Sequence, residues 1–115
     1  MVIALVLFGL AALGGLYMAS VVFRGAERPP MAIALVHGGA AAAGIIALIA
    51  AVMGMTDPGN ARTALIVFIV AALGGAFLFA QHMQNKALPR NVVVIHGLVA
   101  VTGFVILLVA VMHAG

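Results

Sequence analysis

Residues 29–56, PPMAIALVHGGAAAAGIIALIAAVMGMT, contain no Asp, Glu, Lys or Arg and a single histidine, His37. A run this apolar exceeds the ~20 residues that an α-helix needs to cross the hydrocarbon of a bilayer. Three other stretches of the chain read the same way, 1–23, 63–85 and 91–115. The protein has 115 residues, of which 67% are hydrophobic and 6% charged, against roughly 25% charged in soluble domains. So few charges cannot cover the surface of a water-soluble globule, and the composition predicts an all-α integral membrane protein with four spans. Cysteine is absent, which excludes disulfides. The basic balance comes from five Lys/Arg against two Asp/Glu; all sit between the spans, so it bears on membrane orientation and gives no sign of nucleic-acid binding.

The charges mark the loops. Arg24, Glu27 and Arg28 lie with Gly25, Pro29 and Pro30; Asp57 and Arg62 lie with Pro58, Gly59 and Asn60; Lys86 and Arg90 lie with Asn85 and Pro89. Glycine, proline and asparagine interrupt helices, so helices are expected at 2–23, 31–54, 63–83 and 91–113, in one membrane domain covering 1–115. The first span lacks the basic leader of a signal peptide and reads as a true helix. Spans alternate in direction, so loops 24–30 and 84–90 share one side and carry four of the five Lys/Arg. The positive-inside rule makes that side cytoplasmic and places both termini outside. The expected location is an inner bacterial membrane.

The two halves of the chain resemble each other. Ala11-Ala12-Leu13-Gly14-Gly15 recurs as Ala71-Ala72-Leu73-Gly74-Gly75, and His37-Gly38, Ala41, Gly44 recurs as His96-Gly97, Ala100, Gly103, with each His seven residues after a proline. Histidine occurs only four times, which makes its duplication with the same neighbours the more informative match. The pattern predicts a four-helix bundle of two tandem two-helix repeats, about 1–56 and 61–115, related by a pseudo-two-fold axis along the membrane normal. Helices 2 and 4 then run in the same direction as diagonal members of the bundle, ~11–14 Å apart when neighbours are ~8–10 Å apart. Both histidines lie ~9–10 Å below the Lys/Arg-rich loops.

Positions i, i+4 and i+7 share a helical face. His37, Ala41 and Gly44 therefore form one stripe, and His96, Ala100 and Gly103 another, each with small residues beneath an imidazole. Gly14, Gly15, Gly74 and Gly75 are expected to deepen the resulting slot from the other two helices, with Gly38 and Gly97 giving room beside the ligands. An apolar slot with an imidazole on each face suits haem b, with His37 and His96 as axial ligands and Arg28 and Arg90 at the rim for the propionates. Two axial histidines favour electron transfer over substrate chemistry. The other reading is a haem-free accessory subunit: Gly/Ala faces let membrane helices pack closely against partner helices, and histidine can simply hydrogen-bond across an interface.

In this arrangement of His37 to Gly44 and His96 to Gly103 the chain resembles the four-helix membrane b-type cytochromes, including cytochrome b subunits of respiratory complexes. The resemblance implies electron transfer linked to quinone or to another cytochrome, with membrane redox partner subunits of a respiratory or photosynthetic complex. Those cytochromes commonly hold two haems with four histidines, whereas one equivalent pair is present here.

His82, at the end of the third span, has Val22 or Phe23 as its counterpart and is expected to anchor at headgroup level, the functional alternative being a contact to quinone or propionate. His113 is expected to anchor the far end. The seven methionines read as packing, because none joins the repeated pattern and the His-Met neighbours point in different directions on a helix. No carboxylate lies within a span, which argues against a proton-coupled exporter, and the lone Ser20 has no carboxylate-oriented histidine to make a catalytic triad.

Overall fold

In hydrocarbon every backbone N–H and C=O must be paired within the segment, and the four apolar stretches meet this requirement as helices. The computed structural model describes residues 1–113. It contains α1 (Val2–Phe23), α2 (Met31–Met53), α3 (Gly59–Met83) and α4 (Arg90–Met112), each long and apolar enough to span a membrane. The helices form an antiparallel bundle of 45 × 19 × 18 Å. Large apolar side chains such as Leu13, Leu35, Val36, Ile46 and Leu73 cover its outer surface, the arrangement that contact with lipid requires.

The third helix starts earlier than the expected residue 63. It begins at Gly59, directly after Pro58, and its first turn is closed by Ala61 N–H donating to the Pro58 carbonyl at 2.8 Å. The reason is that hydrogen bonding sets a helix end whereas hydropathy sets only the membrane boundary. Ala61 and Ala64 are buried against the bundle, so packing carries the helix past Arg62 into the polar zone.

The two loops on the histidine side are built alike. At the end of α1, Ala26 N–H donates to Val21 C=O and Gly25 N–H to Val22 C=O, with Gly25 at φ +112°. At the end of α3, Lys86 N–H donates to Gln81 C=O and Asn85 N–H to His82 C=O, with Asn85 at φ 57°. Both are Schellman closures, which need a residue that tolerates a left-handed backbone. The loops are also tied to each other: Leu88 N–H donates to Glu27 C=O at 2.9 Å, and Arg28 Nη1 donates to Asn85 C=O at 2.7 Å.

Along the chain, α1 packs on α2 and α3 on α4 as two hairpins, which meet through sparser α2–α3 and α1–α4 contacts. That leaves α1/α3 and α2/α4 as the diagonal pairs. The buried core of Ala4, Phe8, Leu48, Ala64, Phe68 and Leu107 lies toward the end that carries the α2–α3 loop. At its inner edge the Phe8 and Phe68 rings stack face to face, with centroids 3.7 Å apart and planes within 2°. Between this stack and the two tied loops the hairpins stand apart.

Candidate functional site

His37 and His96 are each the seventh residue of their helix, and the bundle brings their side chains together from the diagonal pair. The ring centroids are 6.2 Å apart and the planes are inclined by 80°. Each ring is fixed by the neighbouring helix of its own hairpin. His37 Nδ1–H donates to the Ala11 carbonyl at 2.7 Å and His96 Nδ1–H to the Ala71 carbonyl at 2.8 Å. A carbonyl can only accept, so Nδ1 carries the proton and, in the neutral ring, Nε2 is left with its lone pair. Among the described residues neither Nε2 has a hydrogen-bond partner.

Glycine makes this approach possible. A Cβ on Gly15 would lie 3.1 Å from His37 Cε1, and one on Gly75 would lie 3.0 Å from His96 Cε1, closer than side-chain carbons pack. Gly14 and Gly74 stand behind the histidine Cβ atoms at ordinary contact distance. They bring the helices together without lining the gap, a correction to the slot expected from the sequence. Gly44 and Gly103 differ more. A Cβ there would meet the Phe8 ring at 3.0 Å and the Phe68 ring at 3.2 Å, so these glycines accommodate the aromatic stack one layer below the histidines.

Both imidazoles lie on the wall of a cavity of about 660 Å³, within the range of roughly 300–1,000 Å³ typical of small-molecule and cofactor sites. Gly15, Gly38, Ala41 and their counterparts Gly75, Gly97 and Ala100 line it, and Phe8 and Phe68 close one end. Gly38 and Gly97 have open space where a Cβ would be. Among the described residues the only polar side chains on the wall are three histidines, His37, His96 and His82.

The third of these, expected to anchor at headgroup level, is buried within the end of the bundle. His82 is 8% exposed and its Nε2–H donates to the Pro29 carbonyl at 2.7 Å. Its Nδ1 is buried without a partner, a state that costs about 1–3 kcal/mol. Arg28 is engaged by the Asn85 carbonyl and lies 3.4 Å from the Glu27 carboxylate, and the Arg90 guanidinium lies 5.9 Å from the centre of the Phe23 ring; neither lines the cavity. His113 is at the opposite end, with Nδ1–H donating to the Val109 carbonyl at 2.9 Å.

The stacked Phe8–Phe68 pair escaped the sequence reading although the two residues repeat with the same spacing of 60 as Ala11 and Ala71. The carbonyls of Ala11 and Ala71 left no sequence signal of their own, because any residue supplies one. Compared with protein-family models, with curated proteins and with solved structures, the chain matches none.

Proposed function

We propose that the protein is a membrane-embedded electron carrier that holds one haem b between His37 and His96. The observation that carries this reading is the pair of imidazoles on one cavity wall, each tethered through Nδ1 and each left with a free Nε2. A hydrogen bond from Nδ1–H to a carbonyl is the usual outer support of a metal-bound histidine: it fixes the tautomer and raises the basicity of the ligand nitrogen. The spacing supports the same conclusion. Metal–imidazole nitrogen bonds are about 2.0–2.1 Å, and a ring nitrogen lies ~1.1 Å from its ring centre, so two imidazoles bound to one ion from opposite sides have centroids about 6 Å apart. The rings here are 6.2 Å apart.

Among the described residues no group of three or more His, Cys, Asp or Glu gathers at this place, so two protein ligands alone would leave a bare ion under-coordinated. A macrocycle that supplies the remaining ligands fits both the donor set and the apolar wall. Haem would contribute one-electron chemistry. The chain's own residues hold the two axial nitrogens in position, exclude water with alanine, glycine and phenylalanine, and insulate the site in the membrane.

His37 and His96 would both be taken up as ligands to the iron, which would leave no site on it for a substrate and favours a carrier over an enzyme. The short loops offer little surface to a soluble donor, so the partners are membrane redox subunits, with quinone as a further partner to test. The Lys/Arg-rich loops face the cytoplasm of a bacterial inner membrane in this reading.

The test is a reduced-minus-oxidised visible spectrum of protein purified in mild detergent from haem-supplied cells. Sharp low-spin α and β bands are expected, lost in both His37→Ala and His96→Ala. A colourless preparation overturns the carrier and leaves the haem-free accessory subunit, whose histidines only join α1 to α2 and α3 to α4.

A further inference from the structure

We infer that the seam between α1 and α4 holds one anionic phospholipid, its phosphate bound by Arg24 and Arg90 and an acyl chain lying along the apolar surface below them. The inference does not depend on what occupies the cavity.

Charge at this end of the bundle is unevenly spent. Glu27 is its only carboxylate and lies against Arg28, which also donates to the Asn85 carbonyl. Arg24 and Arg90 are exposed. Among the described residues they take part in no salt bridge and no side-chain hydrogen bond. Both belong to the same corner of the bundle. Arg90 opens α4, and its guanidinium lies 5.9 Å from the centre of the ring of Phe23, the last residue of α1; Arg24 follows Phe23 directly. Contact with a ring face positions a guanidinium without using its N–H donors, so all of them remain for the oxygens of a phosphate diester.

Below this corner the surface is apolar. Arg90, Val94, Leu98 and Val101 recur at the spacing of one helical face, as do Leu16 and Phe23 on α1. Leu16, Val94, Leu98 and Val101 are all exposed, and Leu16 and Val101 also line the cavity from the two helices, which places them at the seam. From Arg90 to Val101 the stripe descends ~16 Å, about half of the ~30 Å hydrocarbon core and so the depth of one leaflet. A cationic head above an apolar stripe of that length matches a lipid; a free phosphate would leave the stripe unused.

The opposite seam provides an internal comparison. By the spacings that relate Ala11 to Ala71 and His37 to His96, Met83 stands for Phe23, Gln84 for Arg24 and Met31 for Arg90. Arg28, tied to Asn85 just beyond α3, is already engaged. The α2–α3 seam thus has a similar apolar character and no arginine to spare, which makes the lipid site one-sided.

The experiment offers the purified protein in mild detergent equal amounts of phosphatidylglycerol and phosphatidylcholine with identical acyl chains, and counts the lipid retained per chain by native mass spectrometry. Wild type is expected to retain one phosphatidylglycerol in preference to phosphatidylcholine. Arg24→Gln and Arg90→Gln should each lower that preference about fivefold, the effect of one cation at a membrane surface. Arg62→Gln, the same change in net charge at the other end of the bundle, should leave it within twofold. Equal retention of the two lipids by wild type overturns the inference and leaves the corner to an acidic segment of a partner subunit. A preference that falls as far in Arg62→Gln as in Arg90→Gln overturns it too, because it would then reflect overall charge and not this seam.

Discussion

Replacing Gly75 by alanine separates helix stability from ligand geometry, because the two respond with opposite sign. The new Cβ would lie 3.0 Å from His96 Cε1, 3.6 Å from Nε2 and 3.7 Å from Nδ1, whereas non-bonded carbons pack best at about 3.5–4.0 Å. The imidazole must retreat by roughly half an ångström or more. It cannot do so freely, since Nδ1–H is held at 2.8 Å by the Ala71 carbonyl. Either the ring turns off its rotamer, at about 0.5–1.5 kcal/mol, or the hydrogen bond stretches, at a similar cost. Loss of about 0.5–1.5 kcal/mol at one axial ligand weakens haem retention by roughly two- to twelvefold. The backbone, by contrast, gains: alanine is favoured over glycine in a helix interior by up to about 1 kcal/mol. Gly75→Ala is therefore expected to express well, to melt close to wild type without haem because the helix gain and the cost of moving His96 nearly offset each other, and to release haem faster, with altered low-spin bands. Haem release would be followed by transfer to a scavenging protein and helix content by circular dichroism. A variant that retains haem with wild-type kinetics and an unchanged spectrum would refute the idea that Gly75 sets the ligand's position.

Gly38→Leu and Gly97→Leu place a side chain where nothing lies within 4 Å of an added Cβ but where the wall faces the cavity; both are expected to fold and to carry less haem per protein, measured as pyridine haemochrome, while the corresponding alanine variants retain it. Leu107→Ala removes a fully buried side chain from the far core and should lower stability by about 2–5 kcal/mol, read as an earlier melting transition in detergent, without changing the ligands or the low-spin spectrum.

The spans could be read directly from the sequence because a bilayer tolerates so few charges: every helix end near a charge cluster fell within a residue or so except the start of α3, where Ala61 and Ala64 pack beyond the apolar stretch. His37 and His96 were legible through repetition, the one signal in a chain this uniform that composition does not imitate. What hid the rest is that much of the site is backbone or absence of side chain. The Ala11 and Ala71 carbonyls are invisible in any sequence, and a glycine gives no indication of what its missing Cβ makes room for, so Gly15 and Gly44 looked alike until one faced an imidazole and the other a phenyl ring. Arg28 seemed free to meet an anion, but the left-handed turn at Asn85 presents it with a carbonyl. The burial of His82 left no sequence signal, because it comes from the α1–α2 loop folding over it through Pro29.

In the haem reading, the distribution of packing leaves room for a rigid occupant at the centre of the bundle. The tight core lies beyond the Phe8–Phe68 stack, and the loops are joined at the other end by Leu88, Arg28 and His82; the span between them has alanine and glycine where a soluble bundle would place leucine. Acyl chains could fill the apolar volume, but they offer nothing to the free Nε2 atoms of His37 and His96. In the haem reading, a flat, largely apolar group with an electrophilic centre would occupy that volume, meet both Nε2 atoms and lock the two hairpins against each other where they otherwise touch least.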